Sequence, residues 1–274
     1  MQSLGKVIVT GASRGIGLET SKMLVESGYQ VYGLSRTQPV FSHELFTPII
    51  CDITDASALD RTLGLISEDM GANDNTRLAS LINNAGYAQV GSIEDVPVDL
   101  VRKQFETNVF ALLDITKKVI PIFKKQGEGK VINVGSVVGH FAGPLGGVYS
   151  ASKHALEALN AAMRMELHRY GIKVIVVNPG LTDTDFHATA FTTIDGFKDA
   201  SDYGRWYKQY ARRHMQGIPA AAVARIISNI VSNPNPKPRY IVGGRERLVL
   251  LMRKLLPEGM FYSQVEGRAM KIDN

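Results

Sequence analysis

A tyrosine and a lysine four positions apart carry the clearest chemical signal in this 274-residue sequence. Tyr149 and Lys153 lie in a segment whose pattern predicts a helix, so their side chains share one helical face. A phenol with a pKa of about 10 exchanges protons poorly at neutral pH, whereas a nearby ammonium favours the phenolate. We therefore expect Lys153 to lower the pKa of Tyr149, so that Tyr149 can act as a general acid or base.

A glycine-rich segment near the N-terminus has the composition of a phosphate-binding turn. Thr10–Gly17 reads TGASRGIG and follows the apolar run Lys6–Thr10. Gly11 permits a tight turn, Gly15 lets the backbone approach a pyrophosphate, and Gly17 lets helix and strand pack closely. The next helix would offer N–H groups and a positive dipole end to phosphate. The spacing is not GxGxxG, so the segment alone is also compatible with an ordinary turn.

Strand and helix patterns alternate along the first two-thirds of the chain. Buried apolar strands between helices predict an α/β fold, a single Rossmann-type, doubly wound parallel sheet with helices on both faces. Such sheets bind ligands at the carboxyl ends of their strands. We predict one catalytic domain over residues 1–274. The predicted strands are Lys6–Thr10, Tyr29–Leu34, Thr47–Cys51, Leu78–Ile82, Lys130–Val134, Lys173–Val177 and Tyr240–Val242, and the predicted helices are Ile16–Ser27, Asp99–Phe123 and Ser150–Tyr170.

Several motifs occur together in the order and spacing of one protein family. They are TGASRGIG, Asn83–Gly86 (NNAG), Asn108, Ser136, Tyr149–Lys153 (YSASK) and Pro179–Gly180. The chain thereby resembles the classical short-chain dehydrogenases/reductases over roughly residues 5–185, with a family-like final strand near Tyr240. The resemblance implies an NADP-preferring enzyme that interconverts a carbonyl and an alcohol, similar to hydroxysteroid, retinol or lipid carbonyl reductases.

The resemblance also assigns four catalytic residues. Tyr149 is the proton carrier and Lys153 supports it. Ser136, thirteen residues before the tyrosine, hydrogen-bonds the substrate oxygen. Asn108 matches the asparagine whose backbone carbonyl holds a water beside the lysine. No metal site is predicted.

Charge at the end of the second predicted strand indicates which cofactor is used. NAD-preferring enzymes place a carboxylate there for the ribose hydroxyls, whereas this chain has Ser35 and Arg36. Arg14 is expected to reach the same 2′-phosphate, which predicts NADP(H); the alternative is two solvated arginines. Asp52 is assigned to adenine, with a turn or helix cap as its alternative. The full predicted cofactor set is Gly11, Ser13, Arg14, Gly15, Ile16, Gly17, Ser35, Arg36, Asp52, Ile53, Asn83, Ala85, Gly86, Tyr149, Lys153, Pro179, Gly180, Thr182 and Thr184.

Aromatic residues are concentrated in a predicted substrate lid over residues 186–215. They suit a bulky apolar substrate such as a steroid, a retinoid or a fatty-chain carbonyl. The alternative is a lid that packs its aromatic rings on its own domain. Tyr87 and Gly139–Val148 are expected to wall the pocket, and His140 to be a pocket-lining or solvated residue. The aromatic residues are Phe186, Phe191, Phe197, Tyr203, Trp206, Tyr207 and Tyr210.

Positive charge is concentrated near the C-terminus. The formal net charge is +5, and from Ser201 onward 13 lysines or arginines stand against 5 acids. The tail 245–274 combines leucines with basic residues, which predicts contact with a membrane surface, the chain's own domain or a second subunit. We expect a cytoplasmic protein because the chain enters a strand too early for a signal peptide and has no membrane-length apolar run. The single Cys51 excludes an intrachain disulfide.

Two other functions remain open at this stage. One is a 3-oxoacyl thioester reductase of fatty-acid synthesis, whose members resemble this chain through Gly180. The other is a non-catalytic NADPH-binding regulator that kept the fold. No nucleic-acid partner is predicted, because the basic charge coincides with no recognition motif. The family resemblance implies a homodimer or homotetramer.

Overall fold

Seven parallel strands form the central sheet of the computed structural model, which describes residues 4–72, 77–186, 190, 194–196, 199, 201–212 and 217–270. All five residues of the first strand are buried, as expected of a strand covered on both faces. The strands, in chain order, are β1 (Lys6–Thr10), β2 (Gln30–Ser35), β3 (Phe46–Ile50), β4 (Leu78–Asn83), β5 (Gly129–Val134), β6 (Ile172–Pro179), the short β7 (Thr182–Asp183) and β8 (Ile218–Pro219), and β9 (Arg239–Val242). The sheet order is β3-β2-β1-β4-β5-β6-β9.

Helices cover both faces of this sheet. One apolar core joins α1 and α7 to residues of β1, β2, β5 and β6, and a second core on the other face includes residues of α2, α4 and α5. The predicted doubly wound α/β fold is therefore confirmed. The described helices are α1 (Gly15–Glu26), α2 (Ala56–Ala72), α3 (Val98–Phe105), α4 (Ala111–Gln126), α5 (Gly147–Leu167), α6 (Gly204–Arg212), α7 (Ala220–Ser232), α8 (Gly244–Leu255) and α9 (Glu258–Met270).

The predicted helix Asp99–Phe123 is interrupted. One π-helical turn, Glu106–Phe110, separates α3 from α4, and the N–H of Ala111 bonds to the carbonyl of Glu106, five residues back. Apolar periodicity does not reveal such a turn, because it adds one residue without changing the type of element. The π-turn contains Asn108, in keeping with the frequent occurrence of such turns at functional sites.

The ends of the predicted lid are joined by a small second sheet. Thr182 of β7 pairs with Ile218 of β8, and Asp183 pairs with Pro219. The N–H of Ile218 also donates to the carbonyl of Leu181 at 2.8 Å. The intervening chain thus leaves and re-enters the fold at one place. Phe191 and Phe197 of the predicted lid lie outside the described residues.

No helix within the described ranges has the length and apolar character needed to cross a bilayer.

Candidate active site

A cavity of about 630 Å³ lies where the loops after the parallel strands meet. Its position follows from topology, since β1 has β2 on one side and β4 on the other, and the chain reverses direction across the sheet at that point. The loops after β1, β2 and β3 line one part of the cavity. The loops after β4, β5 and β6, with α5, line the other.

The conformation of the glycine-rich loop is fixed by contacts with the residues that follow β4. Gly11 has φ +67°, and a Cβ there would lie 2.9 Å from the Cα of Ala85. The side-chain amide of Asn84 donates to the carbonyls of Thr10 and Gly11 at 3.0 and 3.1 Å. The Thr10 hydroxyl in turn accepts from the N–H groups of Asn84 and Ala85, both at 3.0 Å. The loop lines the cavity at the N-terminus of α1, where an anion would meet the positive end of the helix dipole.

Sequence reasoning placed Asn84 in a family motif but gave it no role. Gly17 lies beneath the loop beside the carbonyl of Gly11 and the Asn84 amide, where no Cβ would fit. Since the amide bonds to two loop carbonyls, Asn84 fixes the shape of the loop. Its position directly after a buried strand could have indicated this role, because functional residues lie at the carboxyl ends of parallel strands.

Basic side chains lie at the end of the cavity that the glycine-rich loop lines. Arg14 and Arg36 are exposed and both line it, whereas Ser35 is buried and donates its hydroxyl to the carbonyl of Thr37 at 2.8 Å. Asp52 also lines the cavity and accepts from the N–H and hydroxyl of Thr54 at 3.0 and 2.8 Å. The turn interpretation of Asp52 is therefore correct, and it is compatible with a position at the cavity.

Three predicted catalytic side chains meet in the opposite half of the cavity. Ser136 follows β5, and its hydroxyl shares a hydrogen bond with Tyr149 of α5. The ammonium of Lys153 donates to the carbonyl of Val134 at 2.8 Å and lies 5.8 Å from the centre of the Tyr149 ring. An oxygen atom beside Ser136 and Tyr149 would meet two hydroxyl groups and a nearby cation.

The predicted lowering of the Tyr149 pKa is not observed. Burial raises the pKa of Tyr149 to about 12, an effect that the hydrogen bond from Ser136 opposes and the nearby Tyr210 reinforces. Burial also lowers the pKa of Lys153 to about 8, against the attraction of the Glu157 carboxylate. Desolvation outweighs the expected attraction between Tyr149 and Lys153, because Lys153 is buried and Tyr149 is half-buried, and because the ammonium bonds to the carbonyl of Val134 instead of the phenol. Tyr149 is consequently a neutral proton donor at pH 7.

Asn108 lies behind the loop that follows β4. Its amide donates to the carbonyl of Tyr87 at 3.1 Å and to the hydroxyl of Ser152 at 3.2 Å. Its side-chain oxygen accepts from the N–H of Tyr87 at 3.2 Å. Asn108 therefore connects the π-turn to α5 beside Tyr149.

Most of the predicted site residues line the cavity. Asn83, Gly17 and Asn108 are not among the described residues that do. The Asn83 amide is buried instead and donates to Thr116 of α4 and Asn133 of β5, both at 2.9 Å. The predicted residues that line the cavity are Gly11, Ser13, Arg14, Gly15, Ile16, Ser35, Arg36, Asp52, Ile53, Ala85, Gly86, Ser136, Tyr149, Lys153, Pro179, Gly180, Thr182 and Thr184.

A buried polar cluster behind Lys153 was missed in the sequence. Glu157, one turn further along α5, is 8% exposed and accepts from Asn178 and Arg239. His140 lies 3.2 Å from the same carboxylate, so it is neither a lining residue of the cavity nor simply solvated. Burial would raise the pKa of Glu157, but the hydrogen bonds from His140 and Asn178 and the charge of Arg239 lower it.

The lid aromatic residues divide between two roles. Tyr207 is 1% exposed, and its hydroxyl donates to Asp95 at 2.5 Å and accepts from the N–H of Ser92 at 2.8 Å. Phe186 and Tyr210 line the cavity, and the Phe186 ring lies 5.7 Å from that of Tyr149. Both sequence interpretations are therefore partly right, because some rings pack on the domain and others face the cavity. Tyr203 and Trp206, like Phe186 and Tyr210, pack against the apolar cluster that contains Tyr207. Tyr87 lines the cavity as predicted.

Comparisons with known proteins agree with this geometry. The family model for short chain dehydrogenases matches residues 5–195. The probable short-chain type dehydrogenase/reductase VdlC of Helicobacter pylori is 35% identical, over 93% of this chain and 94% of VdlC. The NADPH-dependent 3-dehydrocapnine reductase of Ornithobacterium rhinotracheale is 32% identical, over 92% of this chain and 93% of the reductase. The 3-ketodihydrosphingosine reductase of Bacteroides thetaiotaomicron is 32% identical, over 93% of this chain and 94% of that reductase.

Solved structures share the fold. A short chain dehydrogenase from Burkholderia cenocepacia in complex with NADP has a TM-score of 0.76 at 21% identity, covering 97% of this chain and 99% of its own. A 3-ketoacyl-(acyl-carrier-protein) reductase from Brucella melitensis complexed with NADH has a TM-score of 0.73 at 22% identity, covering 89% and 99%.

Proposed function

Because the chain belongs to the short-chain dehydrogenase/reductase family, we propose that this oxidoreductase reduces a ketone on a long apolar chain to a secondary alcohol, with NADPH as its cofactor. The observation that carries the proposal is Tyr149, a neutral phenol bonded to Ser136 beside the apolar Phe186. Relatives named for 3-dehydrocapnine and 3-ketodihydrosphingosine support a lipid-like ketone. Within the wider set of apolar carbonyls predicted from the sequence, these names favour the fatty-chain class over steroids and retinoids.

The proposed cofactor site follows the cavity from its basic end to Tyr149. The loop at Gly11 and the N-terminus of α1 would hold the pyrophosphate, with Arg14 and Arg36 at a 2′-phosphate and Asp52 near adenine. Thr182 and Thr184 line the same cavity, and Thr184 lies beside Gly15 of the glycine-rich loop. The backbone near Thr182 would contact the nicotinamide carboxamide, and Thr184 would contact the carboxamide or the pyrophosphate. A bound NADPH would supply the hydride for the carbonyl carbon.

The protein's own part in this reaction is the transfer of one proton. Ser136 hydrogen-bonds the carbonyl oxygen and orients it, and Tyr149 donates its hydroxyl proton to the alkoxide that forms. Lys153 stabilises the resulting phenolate through its charge. Asn108 is proposed to keep a proton path to Lys153 open through its backbone carbonyl.

We also propose a homodimer or homotetramer, formed through the helices that carry Asn108 and Tyr149. Phe110, two residues after Asn108 at the end of the π-turn, is 53% exposed. A large apolar ring with this exposure suits a subunit contact.

The test is NADPH oxidation with a panel of carbonyl compounds, using wild type, Tyr149→Phe and the distant control Tyr170→Phe. The panel contains 3-ketodihydrosphingosine, a 3-oxoacyl thioester, a steroid ketone, retinal and a small ketone. We expect turnover of the first compound and a loss of about a hundredfold or more in kcat with Tyr149→Phe alone. Faster turnover of the thioester would favour the 3-oxoacyl reductase. Cofactor binding without turnover of any compound would favour the regulator.

A further inference from the structure

Three leucines on the outer face of α8 are unusually exposed. Leu248, Leu251 and Leu255 are 57%, 51% and 69% exposed. Their spacing of three and four residues places them on one stripe that runs along the helix. We call these three side chains the leucine face. Single exposed leucines are common on proteins, but a continuous stripe over two helical turns indicates a surface that another apolar body covers.

Positive charges border the leucine face on both sides. At 100° per residue, Arg245 lies on one edge of the stripe, and Arg247 and Lys254 lie on the other. Glu246, the only acid in α8, faces away from the stripe, since its side chain fills the space beside Gly180 and Gly243. The exposed side of α8 therefore combines apolar and cationic groups without a carboxylate of its own.

The opposite side of α8 is already occupied by the protein. The guanidinium of Arg253 lies 5.6 Å from the ring centres of Phe261 and Tyr262 in α9. Phe261 is 3% exposed and packs edge-on against Phe141, a lining residue of the cavity, at 5.7 Å. The tail thus docks on its own domain through this inner side, which leaves the leucine face outward on a helix anchored beside the cavity.

We propose that the leucine face docks α8 on the surface of an anionic lipid bilayer. A helix with an apolar stripe and basic edges lies in the bilayer interface, with its apolar side chains inserted and its cations near lipid phosphates. Each Lys or Arg close to an anionic surface strengthens binding about fivefold. A two-fold contact between copies is less suitable, because it would bring the same basic edges together. The inference concerns binding to membranes and does not depend on the proposed substrate.

Cosedimentation with vesicles tests the leucine face. The full-length protein is mixed with vesicles of phosphatidylcholine and phosphatidylglycerol in equal amounts, or of phosphatidylcholine alone. We expect wild type to sediment with the mixed vesicles, and L248Q/L251Q/L255Q to lose about tenfold or more in partition coefficient. Leu65→Gln in α2 is the matched control, because Leu65 is 61% exposed and distant in sequence from α8. Equal binding of the triple variant and wild type would overturn the proposal, as would failure of wild type to sediment.

The basic edges are tested separately. R245Q/K254Q should weaken binding to mixed vesicles about thirtyfold, and added salt should weaken wild-type binding. K103Q/K125Q removes two exposed lysines elsewhere and should bind as wild type does. Thermal unfolding of each variant separates lost binding from lost folding. Light scattering tests the alternative of a subunit interface. If wild type does not bind vesicles and the leucine triple variant has a smaller particle mass than wild type, the leucine face is a subunit interface and the proposal is wrong. None of these binding measurements requires enzyme turnover, so a negative result would not contradict the proposed ketone reduction.

Discussion

Two residues at the end of β2 carry the proposed choice of cofactor. Ser35 is buried and its hydroxyl bonds to a backbone carbonyl, so the exposed Arg36 is the charged group that this strand presents at the cavity. A carboxylate here would repel a 2′-phosphate, whereas a guanidinium pairs with it in a charge-assisted hydrogen bond. Arg14 reaches the same cavity from the glycine-rich loop.

Arg36→Ala should therefore affect the two cofactors differently. We expect the KM for NADPH to rise about tenfold, which corresponds to about 1.4 kcal/mol, and the KM for NADH to change little. Initial rates with each cofactor measure this difference. Arg164→Ala, which removes an exposed arginine from α5, is the control. Equal rises in both KM values would refute the role of Arg36.

At the scale of elements, a single carboxylate connects α5 to the sheet behind the catalytic residues. Glu157 of α5 bonds to Asn178 of β6 and Arg239 of β9, and lies beside His140. Lys153 is one turn before it and is held by the carbonyl of Val134. The bonds of Glu157 position α5 on the sheet. Its negative charge also raises the pKa of Lys153 against the lowering by burial, which favours the protonated ammonium.

Glu157→Gln should change the pH dependence of the reduction. Lys153 has a pKa of about 8 and supports the reaction as an ammonium, so kcat should fall as the pH rises through that value. Without the Glu157 charge the pKa of Lys153 is lower, so the fall should begin at lower pH. The kcat profile from pH 6 to pH 9 measures the shift, and Glu166→Gln, exposed on the same helix, is the control. If Glu157→Gln lowers the stability of the protein but does not shift the kcat profile, Glu157 has only a structural role.

At the scale of the whole molecule, the sheet, the lid and the tail meet around one cavity. The β7–β8 pair joins both ends of the lid, and the Tyr207–Asp95 bond fixes α6 on the domain. Burial would raise the pKa of Asp95, but hydrogen bonds from Ser201, Tyr207 and Ser92 lower it, so the carboxylate remains a strong acceptor. The aromatic wall beside Tyr149 is thereby supported from outside the cavity.

Light scattering of the whole protein tests the proposed assembly. Wild type should have the mass of a dimer or tetramer, and Phe110→Glu should lower that mass, because a buried unpaired carboxylate weakens an apolar contact. Val40→Glu alters a residue that is 99% exposed between β2 and β3 and should leave the mass unchanged. A monomeric wild type would contradict the assembly.

The sequence by itself determined the parallel α/β fold and the residues around which the site is built. Strands buried on both faces are continuous apolar runs that are visible without a structure. The spacing of Tyr149 and Lys153 places them on one helical face, and the family resemblance identified Ser136 and the glycine-rich loop at Gly11. The π-turn was not visible, because one extra residue in a helical turn leaves the apolar pattern almost intact.

Only the tertiary structure decided how these groups are surrounded. The pKa of Tyr149 is raised and not lowered, because it depends on burial and on where the Lys153 ammonium points, and spacing along a helix states neither. Glu157 and Asn178 are 21 residues apart in sequence, and the chain must fold before they meet. The same holds for α8, where packing of one side on the domain determines which side is left to face outward. Sequence patterns record local periodicity and residue chemistry, whereas desolvation and long-range contacts arise only when distant segments pack together.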